Sequence, residues 1–128
     1  MSKVQRFYSD SLPYPRGHYS HASIAGGLMF VSGQLPFDRE GKPVGPGFAE
    51  QTEAVLANLM TVIEGAGATR EDIVKVTVFI AGIEHWPEFD TIYAATMGDV
   101  RPARSVVPVP ELHYGFLVEL EAVVAIPG

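Results

Sequence analysis

From Val74 to Ile80 every second residue is aliphatic: Val74, Val76, Val78 and Ile80 fall on one face, Lys75, Thr77 and Phe79 on the other. Residues two apart on a strand share a face, so this segment is a strand with one dry side that something must cover. Its neighbours in the chain supply the cover. Upstream, Phe48–Glu64 sets Val55, Leu59, Val62 and Ile63 on one stripe at helical spacing, and Gly65 and Gly67 end it. Downstream, Trp86–Met97 carries Pro87 in its first turn and a stripe of Trp86, Phe89, Tyr93 and Met97, and stops at Gly98.

The rest of the chain extends the pattern. Met1–Pro15 is polar and turn-rich, with Pro13 and Pro15 keeping it out of regular structure. His18–Ile24 reads as a first strand, Gly26-Gly27 as a two-residue turn, and Leu28–Val31 as the returning strand. Gly33 at the end of that strand predicts a bulge or a close approach of the backbone to another group. Phe37–Gly47 is too rich in glycine and proline to be anything but loop, and Thr69 caps a short turn. Two β-like runs, Ser105–Val109 and Phe116–Ala125, close the chain as a strand pair joined through Pro110 and Gly115. The order β-β-α-β-α-β-β predicts an α+β fold, one mixed sheet with both helices on a single face. The opposite face carries Phe79 and, depending on register, Val118 and Leu120. Burial against copies of itself is the economical way to cover it.

At 128 residues the whole chain, 1–128, is the size of one domain. A net charge of −6, with Lys and Arg scattered, argues against nucleic acid or any partner held by phosphate neutralisation. There is no cysteine for a disulfide, a thiolate or a Cys-based metal site. No apolar run is long enough to cross a membrane and no secretory leader is visible, so the expected compartment is the cytoplasm. His18 and His21, three apart on a strand, point to opposite faces and are poor joint ligands, so no metal is expected. Ser32-Gly33 lacks the nucleophile elbow, and Gly41, Gly45 and Gly47 make no phosphate-binding fingerprint.

Charges in apolar company remain. Arg104 leads into the first closing run, and Glu119 and Glu121 share one face of the second. They are either the wet side of a half-exposed strand pair or an arginine and a glutamate facing each other across a cleft, holding a small anion and a water. The residues by themselves leave both readings open.

Several stretches together resemble the Rid family of reactive intermediate deaminases, also called YjgF-like proteins. They are Val31–Pro36 (VSGQLP), the helix with Gln51, Thr52, Asn58, Leu59 and Gly67, Asp72–Ile80 (DIVKVTVFI), Pro102–Ser105 (PARS) and Glu119–Ala122 (ELEA). In family order they run from about Tyr19 to Ala125. The resemblance implies a chorismate-mutase-like α+β fold, a homotrimer with clefts between subunits, and hydrolysis of 2-enamine or 2-imino acids to 2-keto acids and ammonium without metal or organic cofactor. It implies that Arg104 binds the substrate carboxylate, that Glu119 positions the water, and that Tyr19, Ser32, Gly33 and Val106 line the cleft. Val106 stands where many members have cysteine, Asp90 where asparagine is common, and the segment from Tyr93 to Pro102 is short. These departures bear on substrate identity more than on reaction type. A trimer that binds a small carboxylate without turning it over is the alternative. The endoribonuclease label attached to parts of the family fits the acidic composition least.

Overall fold

The structure is a computed structural model that describes residues 3–127; Met1, Ser2 and Gly128, the ends of the expected 1–128 domain, lie outside the described residues. Six strands form one mixed sheet: β1 (Gln5–Phe7), β2 (Ala22–Ala25), β3 (Leu28–Gln34), β4 (Ile73–Ala81), β5 (Ala103–Val109) and β6 (Val118–Ala125). Two helices, α1 (Phe48–Gly65) and α2 (Trp86–Met97), pack on one side of it. Across the sheet the order is β1-β2-β3-β6-β4-β5.

Both helices lie where their stripes place them. Val55, Leu59, Val62 and Ile63 of α1 are fully buried with Phe89 and Met97 of α2, against Val76, Val78 and Ile80 of β4 and Val118, Leu120 and Val124 of β6. Each such side chain contributes about 1.5–3 kcal/mol of burial, so the shared face between helices and sheet is where the fold is held. Trp86, at the start of the α2 stripe, is 38% exposed and stays outside this core. Gly26 and Gly27 close the β2–β3 hairpin, both with positive φ, as a primed two-residue turn requires. Thr69 heads a capping box with Asp72 before β4 begins.

Four expectations are corrected. The segment before Pro15 is not wholly irregular: Gln5–Phe7 adds to the free edge of β2, because Pro13 and Pro15 restrict the chain only locally. The strand expected at His18–Ile24 is confined to Ala22–Ala25. Its first residues turn instead, with Tyr19 N–H donating to Gly17 O at 3.1 Å and the buried His21 ring tied to Ser9 and Pro13. Val74 does not share the dry face. A register shift between Ile73 and Lys75 rotates it outward, 47% exposed, and Ile73 takes its place in the core. The two closing strands are not neighbours: β5 runs parallel to β4 on the sheet edge, whereas β6 inserts antiparallel between β3 and β4. Parallel pairing of β4 with β5 needs a crossover, and α2 provides it.

The β6 register decides which residues face where. Val118 and Leu120 point to the helices, while Glu119 pairs with Phe79 and Glu121 with Thr77 on the open face. That face also carries Phe30, 48% exposed, and Val107, 36% exposed. No helix among the described residues is long and apolar enough to cross a membrane.

Candidate active site

The open face carries a cleft of about 510 Å³ where β3 and β6 meet the turn before Tyr19 and the loop after Gln34. Tyr19, Ser32, Gly33 and Glu119 all line it. The β3 bulge makes this possible. Pairing with β6 slips between Val31 and Gln34, and a side chain on Gly33 would collide with Glu119 Oε2. Glycine at this position lets the Glu119 carboxylate lie directly against the β3 backbone. Ser32 is bound into the wall: its N–H donates to His21 O at 3.0 Å and its hydroxyl to Ser20 O at 2.7 Å. His21 is likewise committed. Its Nδ1 accepts from Ser9 N–H at 2.8 Å, so the proton sits on Nε2, which donates to Pro13 O at 3.0 Å.

Glu119 is partly buried, and among the described residues no hydrogen bond or ion pair engages its carboxylate. Loss of water around the group raises its pKa above the usual 4.5; His113 pulls it down, and Glu121 pushes it up again. An acceptor with free lone pairs, half withdrawn from solvent, is equipped to hold a water molecule.

Arg104 is elsewhere. It pairs with Val76 on the helix side of the sheet, its guanidinium 4.8 Å from the Tyr93 ring centroid and 5.9 Å from that of Phe89. Its Nη1 donates to Asp90 Oδ1 at 2.9 Å. Val106, two residues on, faces the same side against the core. The chain by itself therefore gathers Tyr19, Ser32, Gly33 and Glu119 on one face of the sheet and holds Arg104 and Val106 on the other.

Residues 9–126 match the family model described as endoribonuclease L-PSP. The chain belongs to the Rid/YjgF family. It is 37% identical over 116 residues to protein HMF1 of Saccharomyces cerevisiae, covering 91% of this chain and 90% of that one. The crystal structure of the Rid protein YyfA from Yersinia pestis superposes with a TM-score of 0.91 at 35% identity, covering 96% of this chain and 99% of that one. The structure of the YjgF gene product of E. coli does so with a TM-score of 0.89 at 28% identity, covering 94% and 98%.

In this Rid protein two polar residues of α1, Asn58 and Gln51, serve as tethers for the loops around the cleft. Asn58 Nδ2 donates to Leu35 O at 3.2 Å and Phe37 O at 2.9 Å, holding the loop that follows β3. Gln51 Oε1 accepts from Leu117 N–H at 2.8 Å, just ahead of β6. Arg16, His113 and Tyr114 also line the cleft, and nothing local in the sequence marks them. Tyr114 has a φ of 61° and meets Phe37 edge-on at 5.7 Å between centroids. His113-Tyr114-Gly115 looks in sequence like any turn, and Arg16 between Pro15 and Gly17 looks like a solvated loop charge. Only the folding of two distant loops over one cleft distinguishes them.

Proposed function

We propose that this Rid protein is a cytoplasmic homotrimer that hydrolyses 2-enamine and 2-imino acids to 2-keto acids and ammonium. In this reading each cleft is completed by a neighbouring subunit. The observation that carries it is the unengaged Glu119 carboxylate, held against side-chain-free backbone at Gly33 in a cleft walled by Tyr19. Arg104 supplies the other half. Its guanidinium holds the substrate carboxylate through a fork that lysine lacks. Glu119 orients a water and takes its proton as the oxygen attacks C2 of the iminium; it returns that proton to the nitrogen of the resulting carbinolamine. As the C–N bond breaks and the carbonyl forms, the hydroxyl proton passes through Glu119 to the departing nitrogen, which leaves as ammonium. Such a reaction needs a held substrate, a placed water and a proton acceptor.

Because Arg104 and Glu119 occupy opposite faces of the sheet in one subunit, the reading requires them to meet between subunits. The exposed Phe30 and Val107, with Phe79 beside Val107, supply apolar surface for that contact. Subunit mixing tests this. Arg104→Ala and Glu119→Gln should each be nearly inactive, whereas the two refolded together at equal amounts should recover about a quarter of parental activity. Random assortment in a cyclic trimer leaves that share of interfaces with both native residues. Mixed protein no more active than its components, or a monomer by sedimentation equilibrium, would count against shared clefts.

The ion pair with Asp90 competes for the same guanidinium. Asp90→Asn should tighten binding of the unreactive 2-oxobutanoate by up to about fivefold, the equivalent of the about 0.2–1 kcal/mol typical of a partly exposed ion pair. Titration calorimetry reads this directly, and weaker binding would make Asp90 an orienting group instead of a competitor. The endoribonuclease reading carried by the family description has less support in the cleft. Of the two histidines there, His21 has both ring nitrogens committed to the backbone.

A further inference from the structure

The cleft contains a cation that this chemistry does not use. Arg16 lies in the turn between Pro15 and Gly17 and lines the same cavity as Glu119. Its Nη2 donates to Gly41 O at 2.6 Å, and its guanidinium carbon sits 5.3 Å from the centroid of the Phe37 ring. Both contacts fix the head group without neutralising it, since a carbonyl and an aromatic face carry no net charge. Among the described residues no carboxylate lies within ion-pair range of Arg16, and its Nη1 and Nε have no protein acceptor. Asp38 also lines the cleft, but its Oδ1 is occupied by the N–H groups of Glu40 and Lys42, each at 2.9 Å.

An oriented guanidinium with open donors is a receptor for a planar oxyanion. The loop that orients it is itself held. Asn58 fixes the carbonyls of Leu35 and Phe37, which places the ring beneath Arg16. The cavity, about 510 Å³, falls in the range of about 300–1,000 Å³ that encloses drug-sized ligands. That is more room than a three- or four-carbon imino acid fills.

We propose that Arg16 binds a second carboxylate, and that this protein prefers 2-imino acids whose side chain ends in a carboxylate. The inference rests on the hydrolytic reading of the same cleft and names its substrate class. Arg104 takes the carboxylate next to the reacting carbon, and Arg16 takes the distal one. Such imines form when an oxidase acts on an acidic amino acid, or when a lyase eliminates a β-substituent from one, so a reaction of that class would supply the substrate.

The test compares 2-iminosuccinate and 2-iminoglutarate with 2-iminopropanoate and 2-iminobutanoate, each generated in situ. Parent, Arg16→Gln and Arg16→Lys proteins are followed by keto-acid release. The parent should show a kcat/KM at least tenfold higher for the dicarboxylic imines, and Arg16→Gln should lower that ratio about tenfold or more. Arg16→Lys keeps the charge but not the fork and should fall between; it also carries the comparison if Arg16→Gln does not fold. In parallel, calorimetry gives the affinities of 2-oxoglutarate and 2-oxobutanoate, which need no turnover. If no imine of either class is hydrolysed, the hydrolytic reading fails and the affinity ratio alone decides the role of Arg16. A parent that binds 2-oxoglutarate no better than 2-oxobutanoate, or a ratio indifferent to Arg16→Gln, would overturn the proposal.

Discussion

Glu119→Gln is expected to lower kcat for imine hydrolysis by about 10²–10⁴-fold, the usual loss when a positioned proton acceptor is removed. The substitution preserves shape, so affinity for an unreactive 2-keto acid should change little, and the defect should appear in kcat before KM. The parent should also show an acid limb in kcat/KM at a higher pH than an ordinary glutamate would give. Burial raises the Glu119 pKa above 4.5 in the folded protein, an effect His113 only partly offsets. Stability moves in the opposite direction to activity. A carboxyl whose folded pKa is raised stabilises the fold only in its protonated form. That contribution is fully present below the unfolded pKa and is lost as pH rises through the folded one. At neutral pH, therefore, Glu119→Gln should raise Tm, and the gain should shrink toward acidic pH, where both states of the parent bind the proton. Thermal unfolding of parent and variant at neutral and acidic pH measures this. Normal turnover by Glu119→Gln would remove Glu119 from the mechanism.

Gly33→Ala is the second large effect. The new methyl would occupy the place of Glu119 Oε2, the mobile end of a flexible side chain, and no backbone contact closer than 4 Å ranks among its nearest neighbours. The fold should therefore tolerate the change while the carboxylate moves aside. Misplacing a reacting group by about 1 Å costs on the order of 10²-fold in rate, and kcat should fall by that much with Tm nearly unchanged. Since the damage acts through Glu119, Gly33→Ala combined with Glu119→Gln should be scarcely worse than Glu119→Gln alone. Additive losses in that double variant would mean that Gly33 serves the reaction by some other route.

Local chemistry was legible in the sequence wherever a residue's own neighbours determine its conformation. The Gly26-Gly27 turn, the Thr69 cap, the α1 stripe and the break at Gly33 all appear in the structure where the chain alone places them. Information carried by distant pairings was not legible. The alternation of β4 assigns faces only until a register shift intervenes, as at Val74. Nothing local says that β6 passes between β3 and β4 instead of pairing with β5. The same limit applies to the candidate site. Glu119 and Gly33 approach each other through adjacent strands, an arrangement the glycine hinted at. The face on which Arg104 lies depends on its pairing with Val76, and the position of Arg16 depends on a loop more than twenty residues away in sequence, held by Gly41.

The separation of Arg104 and Glu119 onto opposite faces of one sheet also bears on how such a protein can change over generations. Arg104 packs on α2, among Asp90 and Tyr93, whereas Glu119 answers to the β3 bulge and the loops around it. The two surroundings share the sheet's thickness but no direct neighbour among these residues. If Arg104 holds the substrate carboxylate and Glu119 the water, as proposed, a substitution beside α2 that retunes anion affinity need not disturb the Glu119 side. In the proposed mechanism, the grip on the carboxylate next to the reacting carbon and the activation of water can drift as nearly independent traits within one small gene, whereas recognition through Arg16 stays tied to the Glu119 side.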